Sequence, residues 1–364
     1  MGATPRFDDA EALLRSVIQR VATGPELSKD IAREEARAAL RLILDGAADP
    51  VQAGVLLIAL RMKRESDDEQ LGVLDAVLET TERVTAEVDE LVDLADPYDG
   101  FARTLPVAPF LPALLAACGA PTIAHGVRAM GPKFGLTAQR VLEACGRPVD
   151  LTPAQAAARL AEPSCGWAYL DQRAFNPRLN ALAELRTRIV KRQVLTTVEV
   201  LAKPLAGRRR SHLVTGYVHK PYPRIYALLA RAAGFDSALI VRGIEGSVVP
   251  SLRANGRAWR YEDGGAEVVV DLRAADFGFA EGLYPPQLAA TDHEAAFDSE
   301  AALAATRDQG LAALRGEPGR MRDNLVCAAA TILWHLRRYD SLHAAAEAAR
   351  AALDGGRAAA HFSR

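Results

Sequence analysis

A small helical N-terminal domain followed by a larger α/β domain with a mainly parallel central sheet is the architecture this sequence predicts. Three observations lead there. Residues 8–82 carry helical patterning throughout. Beyond residue 90, short apolar runs ending in turn residues alternate with helical segments, as a parallel sheet with crossover helices requires. The chain has 364 residues, 49% hydrophobic and 25% charged, which suits a globular protein with a sizeable core. This composition excludes a disordered chain, a collagen-like repeat and a disulfide scaffold.

Four helices account for the first part. The stretch from residue 8 opens with acidic capping residues. SKDIAREEARAALRLILDG offers Ser28 as a cap and Gly46 as a stop. DPVQAGVLLIALRMKRES places Pro50 in a first turn, where its missing N–H costs no helical bond. Val51, Val55, Ile58, Leu60 and Met62 make that helix broadly apolar, which predicts burial. DDEQLGVLDAVLETTERV completes the set, and a helical domain over 1–85 is expected, joined by part of 150–210.

The α/β domain is expected over 86–364. ELVDLAD (90–96) and PTIAHG (121–126) read as strands flanking a short helix near 108–118. Helices follow over 136–146 and 152–162. Residues 178–204 read as one long helix with an interruption at Thr196–Val198. HLVTGYVH (212–219) and SALIVRG (237–243) read as strands around a helix at 223–234. WRYEDGGAEVVVDL (259–272) is a hairpin turning at Asp263–Gly265, and the tail from 298 is helical.

Cys118, Cys145, Cys165 and Cys327 form no CxxC pair, so neither a zinc knuckle nor a redox pair is expected. The polar, acidic N-terminus lacks the apolar stretch of a signal peptide, which together with the cysteines predicts a cytoplasmic protein. The longest apolar stretch, 105–124, holds four prolines and a glycine and reads as loop, short helix and strand rather than a membrane span.

Two loops follow predicted strands, ADPYDG (95–100) and AHGVRAMGPKFGLTA (124–138), where open α/β folds bind ligands. The second carries Gly126, Gly131 and Gly135 with Arg128 and Lys133, and runs into a helix near Leu136–Thr137. Backbone N–H groups and the helix dipole there suit a phosphate.

Charge is segregated along the chain. Residues 186–224 contain ten Lys/Arg (Arg186, Arg188, Lys191, Arg192, Lys203, Arg208, Arg209, Arg210, Lys220, Arg224) and one acid, Glu199. Helical spacing predicts Arg188, Lys191 and Arg192 on one face, with Arg208–Arg210 in the following loop. His212, Tyr217 and Tyr222 are near enough in sequence to stack bases. Residues 65–99 hold thirteen acids and one Arg, so the net charge of −2 is a cancellation of opposed blocks. A polyanion is expected to feel the local basic block.

The segments ILDGAADPVQAGVLLIALRMKRES and AHGVRAMGPKFGLTAQRVLEACG resemble the anthranilate phosphoribosyltransferase family. His125, Gly126, Arg128, Lys133, Gly135 and Leu142–Ala144 match its K-H-G-N-R-x-x-S-S-x-x-G-S-A-D-x-L-E-A-L-G stretch in place. The resemblance covers about residues 27–330. It implies that family's fold, shared in outline with nucleoside phosphorylases, and a phosphate-binding loop region including Asp99 and Gly100.

Departures from the family bear on function. Where it has G-T-G-G-D-G and N-I-S-T, this chain has ADPYDG and LPVA (105–108), keeping only Asp99 and Gly100. Pro97 removes a donor N–H from the expected cradle. The family's Mg²⁺-binding acidic pair falls on Val248 and Val249 of RGIEGSVVPSLR, which have no oxygen ligands to give. Glu245 remains as a lone glutamate, read as solvated or capping. No metal site is therefore expected, with Mg²⁺ relevant only to a surviving transferase activity, and no catalytic residue is assigned.

These departures resemble a divergent YbiB-type, TrpD-like branch of the family. That resemblance implies a symmetric homodimer formed through the N-terminal helices and binding nucleic acid, single-stranded DNA foremost. The basic residues Arg186 to Lys220 would make the contacts, with weak sequence preference and no membrane partner. The alternative is a phosphoribosyl- or glycosyltransferase acting on an unidentified acceptor, with anthranilate itself less favoured.

Overall fold

The computed structural model describes residues 10–24, 26–280, 282–287 and 299–364. Residues 8, 9 and 298, at the starts of two predicted helical stretches, lie outside the described residues. Helices α1 (Ala10–Val21), α2 (Arg33–Leu44), α3 (Pro50–Lys63) and α4 (Asp67–Thr80) form the N-terminal bundle. Asp49 caps α3 by accepting from Val51 and Gln52 N–H, and Ser66 with Glu69 forms a reciprocal capping box on α4.

Two expectations in this bundle are corrected. Ser28 does not cap α2, which starts at Arg33; its hydroxyl donates to the Val21 carbonyl and accepts from Gly24 N–H, tying the α1–α2 connection. Helix α3 is not buried all round. Ala53, Leu56, Leu57 and Leu60 face the core, whereas Val51 (73% exposed), Val55 and Met62 (75%) face outward. The outward three share one side of the helix, at i, i+4 and i+11.

The larger part is built on a seven-stranded sheet. In chain order the strands are β1 (Val84–Thr85), β2 (Glu90–Ala95), β3 (Thr122–Gly126), β4 (Trp167–Asp171), β5 (Leu205–Ala206), β6 (Arg210–Tyr217), β7 (Ser237–Arg242), β8 (Gly256–Glu262) and β9 (Val268–Leu272). The sheet order is β4-β3-β2-β6-β7-β8-β9, and β1 pairs with β5 in a separate parallel ribbon. Strands β4 to β7 across this order are parallel, and β8–β9 is the predicted antiparallel hairpin. Strand β4 is absent from the sequence reading: WAYLD is buried on both faces, so no polar alternation marks it.

The helices of this part are α5 (Leu111–Ala117), α6 (Ala138–Ala144), α7 (Pro153–Ala161), α8 (Gln172–Phe175), α9 (Pro177–Ala181), α10 (Ala183–Ile189), α11 (Leu195–Val198), α12 (Tyr222–Ala232), α13 (Ser299–Leu314), α14 (Arg320–His335), α15 (Leu342–Asp354) and α16 (Arg357–Phe362). The single long helix expected over 178–204 is three short ones. Its main interruption is at 190–194, not at Thr196–Val198, which lies inside α11. Val190 adopts a left-handed φ of 64°, and the chain folds back so that Glu199 pairs with Arg186. In one continuous helix those thirteen residues would span ~20 Å.

Alternate residues of the parallel strands serve opposite cores. Leu91, Ile123 and Leu213 pack towards α1–α4 and α12, and Val92, Ala124 and Val214 towards α5 and α13–α16. Helices α9, α10 and α11 pack against α3 and α4, so this segment sits between the bundle and the sheet. Among the described residues, no helix is long and apolar enough to cross a membrane.

Candidate ligand cleft

A cleft of about 790 Å³ opens at the carboxyl ends of β2, β6 and β7, beneath α3, α11 and α12. Its floor comes from the loops after those strands, where a parallel sheet leaves strand ends and loop N–H groups unpaired with neighbours. Gly100 and Gly135 join two of these loops. A Cβ on Gly100, at φ 72°, would lie 2.7 Å from the Gly135 carbonyl, and Gly135 N–H donates to the Asp99 carbonyl at 2.9 Å. The RGIEGS turn closes equally tightly on β6, since a Cβ on Gly216 would meet the Gly246 and Ser247 carbonyl oxygens at 2.1 Å.

Four charges run across the mouth. Arg192 donates to Asp99 Oδ2 through Nε (3.0 Å) and Nη2 (2.5 Å). Lys133 Nζ lies 3.7 Å from Asp99 Oδ1 and 3.3 Å from Glu245 Oε2. Glu245, expected as a solvated or capping residue, is not solvated: its side chain is buried and binds loop N–H groups. It accepts from the N–H groups of Ala102, Arg103 and Thr104 at 3.0–3.1 Å and from Thr104 Oγ1 at 3.0 Å. Burial raises its affinity for a proton, but Lys133 and these hydrogen bonds outweigh that and hold the carboxyl below its ordinary range.

The opposite wall is aromatic. Tyr222 packs at 5.9 Å from Tyr226 and 6.4 Å from His219, and the Arg61 guanidinium lies 5.6 Å from the Tyr222 ring centre. Tyr217, Thr196, Thr197 and Thr215 complete this side. Tyr217 and Tyr222 were expected near the ligand; Arg61, Tyr226 and the threonines were not. Arg61 comes from α3, more than a hundred residues away in sequence, so no local pattern connects it to this wall.

Several predicted site residues lie elsewhere. His125 is buried beneath the cleft: its Nε2 meets Asp93 Oδ1 at 2.8 Å and its Nδ1 meets the Tyr98 hydroxyl at 2.5 Å. Gly126 makes room for Tyr169, whose hydroxyl would be 2.9 Å from an added Cβ. Both are corrected from ligand residues to packing residues. Tyr98, which the resemblance places at a family glycine, is itself buried against His125. Arg128 is exposed and pairs with Glu143 at 3.1 Å. Of the predicted loop set, Asp99 and Lys133 line the cleft, and Gly100 positions its floor.

The basic segment does not form one surface. Arg186 is 1% exposed and bound to Glu199 at 2.6 and 2.7 Å, so it cannot reach a polyanion. Lys203 is 5% exposed, with its ammonium on the Gly234 carbonyl. Helix α10 ends before Lys191, so Arg188, Lys191 and Arg192 do not share a helix face; Arg188 pairs with Glu184 and Arg192 turns to Asp99. Lys191 is exposed, as is Lys220 beside the cleft-lining His219. Arg208, Arg209 and Arg210 sit at the start of β6, the other end of a strand that spans ~25 Å. His212 is buried there against Ser237 and is not a stacking residue.

The opposed charge blocks also meet. Strand β2 runs parallel to β6 with Glu90 opposite Arg210, so the acidic and basic stretches are laid side by side. Arg208 pairs with Glu87 and Asp89, Arg224 with Asp67 at 2.7–2.8 Å, and Arg192 with Asp99. The expected polar layout is largely neutralised within the fold.

The positions to which the sequence resemblance assigns the family's Mg²⁺ ligands carry no side-chain oxygen. Val248 and Val249 are buried aliphatic side chains, and among the described residues no cluster of three His, Cys, Asp or Glu could bind an ion. Asp96, behind the same loop, accepts from Ser247 Oγ and Val248 N–H at 3.0 Å, and burial pushes its carboxyl up to about 6.

A helical bundle set on a parallel α/β domain, with a charged cleft at the strand ends, defines a glycosyltransferase-type protein. The helical bundle domain of the glycosyl transferase family matches residues 15–81 and its a/b domain matches residues 101–359. The chain belongs to this family and is of the anthranilate phosphoribosyltransferase-like type. The anthranilate phosphoribosyltransferase of Rhodopseudomonas palustris (strain BisA53) is 28% identical over 352 residues, 96% of each chain. An uncharacterized protein of Aquifex aeolicus is 29% identical over 222 residues, 61% of this chain and 65% of that one. The structure of the anthranilate phosphoribosyltransferase from Thermus thermophilus superposes with a TM-score of 0.73 at 20% identity, covering 97% of both chains. That of the Saccharomyces cerevisiae enzyme in complex with PRPP and Mg gives 0.75 at 15% identity, covering 98% of both.

Proposed function

We propose that this chain is a homodimeric, cytoplasmic member of the family that binds single-stranded nucleic acid in its cleft, with weak sequence preference. The observation that carries this reading is the cleft itself, where the Tyr222 ring, with Arg61 beside it, faces a wall that includes Arg103 and Arg192. Aromatic faces stack bases of any identity, and the cations neutralise the phosphate backbone. Lys191 and Lys220, exposed next in the chain to the cleft-lining Arg192 and His219, extend that backbone path. Buried valines at the metal positions and the Tyr98 ring in the glycine loop disfavour a metal-assisted diphosphate displacement. The outward stripe of Val51, Val55 and Met62 on α3 supports a dimer through the N-terminal helices. The test is fluorescence anisotropy with short single-stranded DNA across a salt series. Binding whose log–log salt slope is about −0.7 per phosphate contact is expected, and no binding at low salt removes the reading.

A second reading, a phosphoribosyl- or glycosyltransferase with an unidentified acceptor, is favoured by Asp99 and Lys133 at the cleft mouth. Calorimetry with phosphoribosyl diphosphate separates the two by metal dependence: micromolar binding that requires Mg²⁺ supports the transferase, and heat independent of Mg²⁺ is what a phosphate-binding cleft of either kind gives.

A further inference from the structure

Three successive backbone N–H groups, those of Ala102, Arg103 and Thr104, converge on one carboxylate. Consecutive amides aimed at one point make an anion-binding concavity. The Thr104 hydroxyl and the Lys133 ammonium complete the shell, so the pocket offers five donors, one of them charged. Its present occupant is Glu245, whose side chain is 3% exposed. Glu245 reaches it from a left-handed backbone conformation, φ 54°, that non-glycine residues rarely adopt. The same residue also lines the cleft, so the anion it supplies sits where an entering ligand would present its own.

We propose that Glu245 is a built-in anion filling a phosphate site, and that a phosphate group entering the cleft binds by displacing it. Carboxylate and phosphate oxygens make the same demands on N–H donors and on an ammonium, so one can replace the other. Displacement would also relax the strained Glu245 backbone, which offsets part of the cost of losing its hydrogen bonds. The site is the same for a small phosphate ester and for a nucleic-acid backbone. Inorganic phosphate and short single-stranded DNA, assayed separately, distinguish those two sources.

The experiment is calorimetric titration of inorganic phosphate into the full chain, its Glu245→Ala variant and the double variant Glu245→Ala/Lys133→Met, with ionic strength matched by chloride. Removal of the carboxylate is expected to tighten phosphate binding by about tenfold or more, and removal of Lys133 as well to abolish the gain. Equal, weak phosphate binding by the native chain and Glu245→Ala overturns the proposal. Should Glu245→Ala be unstable, its thermal midpoint is measured in acetate, phosphate and chloride at equal ionic strength. Acetate and phosphate are expected to raise the variant's midpoint by more than the native chain's, and three equal midpoints for the variant overturn the proposal. The DNA anisotropy of the native chain is read independently, so nucleic-acid binding can fail while the anion site stands, and the reverse.

Discussion

Arg186 and Glu199 form a bidentate ion pair at 2.6 and 2.7 Å, with both side chains 1% exposed. The pair folds α11 and the turn after it back onto α10, and that reversal carries Arg192 to Asp99 at the cleft mouth. Removing one partner leaves the other charge buried and uncompensated. Arg186→Met is therefore expected to cost about 3–5 kcal/mol in urea denaturation, with Arg186→Met/Glu199→Leu recovering most of it. A loss below ~1 kcal/mol for the single variant would contradict this role.

Two groups of cations should separate in a salt titration. Arg103→Gln, at the cleft mouth, is expected to weaken DNA binding and reduce the salt slope by about 0.7. Reversing Arg208, Arg209 and Arg210 to Glu, at the far end of β6, should leave affinity at the cleft unchanged. Anisotropy on both variants checks this; a larger effect from the triple reversal would move the binding surface to the other end of the sheet.

The aromatic wall predicts its own signature. Tyr222→Ala is expected to cost about 1–3 kcal/mol of DNA binding, and Tyr222→Phe to cost little, because the ring face stacks and the hydroxyl does not. Equal losses in the two variants would point to the hydroxyl instead.

Stability should fall on the acid side of neutrality. His212 and His335 share the Ser237 hydroxyl at 2.8 and 2.9 Å in the buried core. Burial pushes His212 down to about 4 from an ordinary 6.5; burial, then nearby Arg260, drives His335 well below its usual value. Below about pH 6.5 the unfolded chain takes up protons that the native chain refuses. The histidine contribution is thus intact above 6.5 and is lost as pH falls towards 4, by up to ~1.4 kcal/mol per unit for each residue. Urea midpoints between pH 7.5 and 4.5 measure it, and His212→Gln should flatten the acid limb.

The α3 stripe predicts the oligomeric state. Val51→Asp/Val55→Asp is expected to turn a dimer into a monomer by light scattering while leaving the thermal midpoint of the monomer fold nearly unchanged, since both side chains already face outward. A dimer that survives both charges would place the interface elsewhere.

Much of the fold was legible because local signals coincide with it. Pro50 in the first turn of α3, the glycine stop at Gly46 and the Asp263–Gly265 turn all act over a few residues. Strand β4 and the break at Val190 were not, because their causes are non-local: burial on both faces in one case, the Arg186–Glu199 pair in the other. In the cleft, Asp99, Lys133, Arg192, Tyr217 and Tyr222 stood out in sequence. Glu245 did not, because its importance comes from N–H groups contributed by a loop some 140 residues earlier.

By itself the sequence determined the helical and α/β parts and the strand-end loops. Tertiary structure alone decided where the charges go. The acidic block of 65–99 and the basic block of 186–224 are distant in the chain, yet β1 pairs with β5 and β2 with β6 in parallel register. Strand pairing lays Arg208 beside Glu87 and Asp89, packing of α12 on α4 brings Arg224 to Asp67, and the chain reversal after α10 brings Arg192 to Asp99, so the charge segregation along the chain largely cancels in space. A few cations remain open around the cleft, and they owe their position to the packing of α3 and of the strand-end loops, which charge composition does not encode.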